Sequence, residues 1–139
     1  MIRTKDVNII SDLLKFTKKY KHVRNYTIGS FLVKNKTVVS SGVNSYTKTH
    51  AKTPQTRHYI IPQHAEVCCL AKYLVKKKPI TDDMTLYVVG LTKAAEGVPV
   101  ASSKPCEICE PFIRHIGIKR VVYVENDFVN EIQIKEMEL

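Results

Sequence analysis

Apolar positions along residues 4–21 (TKDVNIISDLLKFTKKYK) fall at Val7, Ile10, Leu13, Leu14 and Thr17, the spacing of three and four that gathers side chains on one helical face. The pattern predicts an amphipathic first helix covering one side of a sheet. Lys15, Lys18, Lys19, Lys21 and the following Arg24 form its basic end, which a helix C-terminus favours for dipole reasons alone. From Tyr26 to Val43 the residues Val, Ile, Phe, Leu and Thr dominate two arms, about 26–34 and 37–43. The polar Lys34-Asn35-Lys36 between them is short enough for a hairpin, and Gly42 and Asn44 close the second arm.

Residues 45–62 (SYTKTHAKTPQTRHYIIP) are polar, basic and without period. A connection of that length inside a compact domain is often functional. A second helix is predicted over 63–77, with Val67, Leu70, Ala71 and Leu74 on its apolar face and Pro79 beyond its end. MTLYVVG at 84–90 is continuously apolar and reads as a central strand. A connection over 91–104 follows, in which 96–100 can form an extra turn or small hairpin and Ser102 or Ser103 can cap a third helix over 105–116. Gly117 ends that helix and 119–124 is the next strand. Strand, helix, strand in this order argues for a parallel pair with a crossover helix. Phe128, Val129, Ile132, Ile134 and Met137 then favour a terminal helix over 127–138, with a final edge strand as the alternative. The expected fold class is α/β, a three-layer α/β/α sandwich around a mixed sheet of about five strands.

Length and composition are compatible with this. A chain of 139 residues suits one domain spanning 1–139, with 44% hydrophobic and 25% charged residues as in an ordinary soluble protein. No apolar run approaches the roughly 20 residues that cross a membrane, and the N-terminus lacks a signal-peptide core, so the expected compartment is the cytoplasm. The net charge of +9 points to a partner bearing negative charge, a nucleotide phosphate or a nucleic acid, without choosing between them.

Candidate chemistry is concentrated in His64-Ala65-Glu66 and Pro105-Cys106-Glu107-Ile108-Cys109. Cys106 and Cys109, three apart, share one face of a helix that begins near Pro105, a residue suited to a first turn. The dipole at such an N-terminus eases loss of the thiol protons, which metal ligation requires. His64 and Glu66, two apart, cannot share a helical face, which argues for His64 on a metal and Glu66 towards water or substrate. A catalytic zinc uses three protein ligands and keeps one position for water, whereas a structural site closes four. Cys68 leaves the second arrangement open, since it follows His64 by one helical turn. With Cys106 and Cys109 paired beside a histidine, a reduced metal-binding chain is a better reading of the four cysteines than disulfides, and Cys69 reads as core. His50 and His58 are further candidate ligands, although the triplet already fills the metal's needs.

H-x-E followed by P-C-x-x-C is the signature of zinc-dependent nucleobase deaminases. Over roughly residues 40–125 the chain resembles the cytidine and deoxycytidylate deaminase superfamily, most of all the deoxycytidylate (dCMP) deaminases. The resemblance implies zinc held by His64, Cys106 and Cys109, with Glu66 shuttling protons between water, ring and departing amine. It implies that Asn44 binds the substrate sugar, that the Ala65 N–H meets the ring carbonyl, and that the Lys104 carbonyl accepts from the amine. Lys48, His50, Lys52 and Arg57 in the basic connection are candidates for a phosphate. The expected reaction is dCMP to dUMP plus ammonia. Deamination of cytosine or adenine in RNA or single-stranded DNA, and a zinc-stabilised nucleic-acid-binding module without catalysis, are the alternatives. A homo-oligomer is implied by the same resemblance, whose members usually have a shorter stretch in place of 91–104.

Overall fold

A computed structural model describes residues 1–19, 26–44, 64–92, 100–106, 109–126 and 132–139. Three helices, α1 (Thr4–Lys18), α2 (Ala65–Val75) and α3 (Cys109–His115), accompany β1 (Tyr26–Lys34), β2 (Thr37–Val43), β3 (Met84–Thr92), β4 (Val100–Ala101), β5 (Arg120–Asn126) and β6 (Ile132–Glu138). The sheet runs β2-β1-β3-β5-β6, with the two-residue β4 also paired to β3. Among the described residues only β3 and β5 pair in parallel; β1 is antiparallel to β2 and to β3, and β6 is antiparallel to β5. The sheet is therefore mixed and six-stranded, the short β4 adding to the five that were expected.

Successive residues of the central strands sort to opposite faces, as a period of two requires. Tyr87, Val89, Val122 and Val124 pack with Ile9, Ile10 and Leu13 of α1 on one side. Leu86, Val88 and Val121 pack with Val67, Leu70 and Ile113 of α2 and α3 on the other. That is the three-layer sandwich.

The predicted stripe of α1 holds at Ile10, Leu13 and Thr17 but fails at Val7, which is 46% exposed, while Ile9 is buried in its place. Asp6 is the reason. Its carboxylate lies in the buried stripe because Arg120 reaches it with two nitrogens at 2.9 and 3.0 Å, the Tyr87 hydroxyl donates to it, and the Arg3 N–H donates at 2.8 Å. A charged residue on the inner face hides the true register from any count of apolar positions.

Both arms of the hairpin fall where predicted. Asn35 and Lys36 between them have φ of 48° and 68°, the pair of left-handed residues that a two-residue hairpin turn demands. The terminal segment is a correction: 132–138 forms strand β6, and 127–131 lie outside the described residues. Ile134 and Met137 would share one helical face, yet the molecule needs them on opposite sides of the sheet, Ile134 against the α1 core and Met137 against the α2/α3 core. A strand provides that separation. Ser103 is a second correction, because its hydroxyl donates to Val88 O at 2.8 Å and accepts the Val124 N–H at 3.0 Å, joining β3 to β5 instead of capping α3. Ser102 accepts the Asn126 N–H at 3.2 Å. The suggested hairpin over 96–100 lies mostly outside the described residues, although β4 does pair with β3 at Gly90 and Leu91.

Burial alone would raise the Asp6 pKa, but Arg120, Tyr87 and the Arg3 N–H outweigh it and hold the carboxyl well below the usual carboxylate range. The group is more acidic folded than unfolded, so its stabilisation is complete above the ordinary Asp range and is lost as pH falls through the lowered native pKa. Asp6→Asn takes the buried partner from Arg120 and is expected to cost about 3 kcal/mol at neutral pH, seen as a lower urea midpoint. The gap between variant and parent should narrow as pH drops below about 5. Equal stability at pH 7 would show that the pair contributes nothing net.

Candidate metal centre

His64 is the N-cap of α2, with extended φ and ψ of −78° and 154°, so the helix begins at Ala65 and not at Gln63, which lies outside the described residues. Cys109 opens α3, and the Cys106 carbonyl accepts the Glu110 N–H at 2.9 Å. The described helix thus starts at Cys109 and not near Pro105, with 107–108 outside the described residues, and both sulfurs lie close to His64. Nδ1 of His64 lies 2.9 Å from Cys109 Sγ and 3.5 Å from Cys106 Sγ. The three ligand atoms all lie within 4.8 Å of one another, and among the described residues they form the one group of this kind. Cys68 is outside it, which removes the closed four-ligand arrangement that its spacing had left open. Cys69 is core as expected, and burial pushes its thiol up to about 12.

Gly42 lets this happen. A Cβ built there would stand 2.5 Å from the Cys69 N and 2.6 Å from the Ala65 O, both backbone atoms. Strand β2 therefore lies directly against the first two turns of α2, fixing the height of His64 and Glu66 above the sheet. Ser40 strengthens the seam by donating to the Cys69 carbonyl at 2.6 Å.

Glu66 is 3% exposed and its Oε1 has no hydrogen-bond partner among the described residues. Burial pushes its pKa up against the smaller opposing pull of His64. The Cys109 thiol is pushed up by its contact with Cys106, then by burial and by Glu66, and the Cys106 sulfur raises His64. These shifts favour the protonated forms, for Cys109 the reverse of what the dipole at a helix start alone predicts, and it is the donor set that points to a cation. One imidazole nitrogen and two thiolates suit zinc. Neighbouring ligand atoms on a tetrahedral zinc stand about 3.6 Å apart; the His64–Cys106 separation of 3.5 Å meets this, while the 2.9 Å to Cys109 has to open slightly. The residues fit the ion.

Other predicted site residues divide into two sets. Ala65 is buried at the start of α2, and Lys104 is exposed immediately before Pro105. Asn44 accepts the Ile28 N–H on Oδ1 at 2.9 Å and donates its own N–H to Ile28 O at 3.1 Å, adding one rung to the hairpin ladder. Among the described residues Asn44 thus extends the sheet pairing beyond Val43. Lys48, His50, Lys52, Arg57 and His58 lie outside the described residues. Sequence reasoning missed the positioning parts played by Gly42 and Ser103; a glycine at the end of an otherwise β-branched strand was the available signal for the first.

The chain matches the family described as the cytidine and deoxycytidylate deaminase zinc-binding region over residues 3–125. Among solved structures it is similar to the 1.6 Å crystal structure of a cytidine deaminase from Burkholderia pseudomallei, with a TM-score of 0.56, 20% identity and 90% of each chain covered. At that identity the likeness is one of fold. No curated protein sequence matches the chain.

Two outcomes are expected. Cys109→Ala should lose most of about one zinc per chain, as measured by elemental analysis after purification, while Cys68→Ala keeps it; the reverse would place the wrong sulfur on the metal. Gly42→Ala should cost about 3 kcal/mol in urea unfolding and lower zinc content as well, because the intruding methyl meets backbone that cannot rotate away.

Proposed function

This chain belongs to the cytidine and deoxycytidylate deaminase family, and we propose that it hydrolyses the amine from cytosine in a free nucleotide, with dCMP as the first reading. The observation that carries the proposal is Glu66, a buried carboxylate with an unpartnered oxygen beside three zinc-ligating groups. Buried carboxylates with raised pKa values are suited to moving protons near neutral pH.

His64, Cys106 and Cys109 would hold the metal. Zinc in such a site acts as a Lewis acid and makes a water acidic enough to react near neutral pH. Glu66 accepts the proton of the attacking water and passes it to the ring nitrogen N3, while the oxygen adds to C4. The same carboxylate then takes the proton of the new C4 hydroxyl and delivers it to the exocyclic nitrogen, the C4–N bond breaks as the C4 carbonyl forms, and ammonia and the uracil product leave. Backbone groups orient the ring in this reading: the Ala65 N–H, at a helix start where the first N–H groups have no intrahelical acceptor, meets the ring carbonyl. The Lys104 carbonyl accepts from the amine and the Asn44 amide meets the sugar. Lys48, His50, Lys52 and Arg57 supply contacts for a phosphate, and the net charge of +9 supports a phosphorylated substrate. A homo-oligomer remains part of the proposal.

Free cytidine is the second reading, since the family that the chain matches takes in cytidine deaminases and a solved cytidine deaminase shares the fold. Ammonia release from cytidine, deoxycytidine and their monophosphates, with an oligonucleotide alongside, separates the readings. Turnover of dCMP with little from deoxycytidine supports the first, the opposite ratio the second, and turnover of the oligonucleotide alone overturns both. Glu66→Gln should lower kcat by about 10³-fold with zinc content unchanged. Parental turnover in that variant would take the proton transfers away from Glu66.

A further inference from the structure

The ends of the sandwich differ in character. Both helix starts that carry the metal ligands lie at one end of the sheet. The other end is built from the β1–β2 turn, the connection from α2 to β3 and the turn from α3 to β5. These meet in the sheet: Lys34 pairs with Met84 at the start of β3, and Thr85 pairs with Arg120 at the start of β5. Gly117 lies against Ile80, and the Tyr73 hydroxyl of α2 donates to Pro79 O at 2.9 Å. An eleven-residue α2 puts this end about 16 Å from His64 along the helix axis.

Lysines dominate the far end. Lys36, Lys76, Lys77, Lys78 and Lys119 are all exposed, and none of them has an ion pair among the described residues. Of the acidic groups there, Asp83 is engaged by the Thr81 hydroxyl and by Asn35, with Lys34 close by. Asp82 and Glu138 remain exposed, and the exposed Asp12 lines the same surface groove as Lys36.

Two of the lysines stand where the backbone calls for glycine. Lys36 has φ of 68° in the hairpin turn, where Asn-Gly is the favoured pair. Lys77 has φ of 57° just after the C-cap of α2, where glycine most often ends a helix. A left-handed conformation is unfavourable for an L side chain. At both positions the chain retains a cation at the expense of backbone comfort, and both cations are displayed at the same end.

We propose that this end, remote from the metal centre, is a docking face for the phosphodiester backbone of a nucleic acid. The cations sit on flexible stems spread over three connections, which suits a line of phosphates better than one small anion. Among the described residues no aromatic is one of the exposed large hydrophobic side chains, so the described face offers charge and not a stacking platform. Val75 is exposed at the end of α2, but one valine is far short of the apolar face that an interfacial membrane helix requires. Binding of this type is sequence-tolerant and salt-dependent. It does not depend on the deamination reading, because none of these residues touches the metal centre.

Anisotropy of a labelled oligonucleotide of about 20 nucleotides, titrated with the full chain between about 50 and 200 mM salt, tests this. Replacing Lys76, Lys77 and Lys78 together by Glu should weaken binding at least about 10-fold and lower the slope of log affinity against log salt by about 2. Replacing Lys15, Lys18 and Lys19 by Glu changes net charge equally but lies at the other end of α1; it should weaken binding less than about 3-fold. Lys36→Gly and Lys77→Gly should each raise Tm by about 2 °C while weakening binding, a combination that loss of folding cannot produce. Absence of binding by the parent, equal loss in both triple variants, or tighter binding to phosphatidylserine vesicles than to the oligonucleotide would overturn the proposal.

Discussion

The parallel pairing of β3 with β5 is the constraint from which the candidate site follows. Parallel strands need a crossover, so α3 starts at the C-terminal end of β3. Strands β2 and β3 flank β1 and both run against it, so α2 also joins two strands of like direction and starts at the same end. Two helix N-termini therefore converge, one preceded by His64 and the other opened by Cys109. The parallel ladder is short, Thr85 to Tyr87 against Arg120 to Val122. Beyond it Ser103 enters between the strands and holds both, and the segment it belongs to continues into Pro105 and Cys106. The metal ligands gather where neighbouring strands part, the place at which open α/β sheets accept ligands.

Two buried acids show how one kind of side chain serves opposite ends. Asp6 and Glu66 are 0% and 3% exposed, yet their pKa values move in opposite directions. Asp6 has a guanidinium, a phenol and a backbone N–H around its two oxygens, so the charged form is secured and the group joins α1 to β3 and β5. Glu66 has an oxygen without such partners, so burial dominates and its proton is held more tightly. The first arrangement stabilises a fold. The second holds a proton beside the three candidate zinc ligands.

Most of the fold and nearly all of the metal site could be read from the residues. Strand–turn–strand over 26–43 and the crossover over 84–124 were visible because β-branched runs, a polar dipeptide and Gly117 act locally. The ligand triplet was visible because metal chemistry restricts residue type and spacing. What escaped was decided by distant partners. Asp6 gave no sign that Arg120, 114 positions away, would bury it. The terminal segment carried apolar residues compatible with either period, and only the need to cover both faces of β5 settled it as a strand. Ser103 looked like a helix cap because serine before a helix usually is one, until two separated strands required a polar bridge.

Strand β6 is the last of the sheet, and its outer margin bears on behaviour at high concentration. A terminal strand offers unpaired N–H and C=O groups to any other chain in extended form. Here Lys135, Glu136 and Glu138 crowd into seven residues, and the first two are held in place by Glu125 at 2.9 Å and Arg120 at 2.6 Å. A second molecule adding its own β6 there would have to accommodate these fixed charges beside its own. Such fixed charges disfavour fibrillar growth from this margin, where no proline stands in β6.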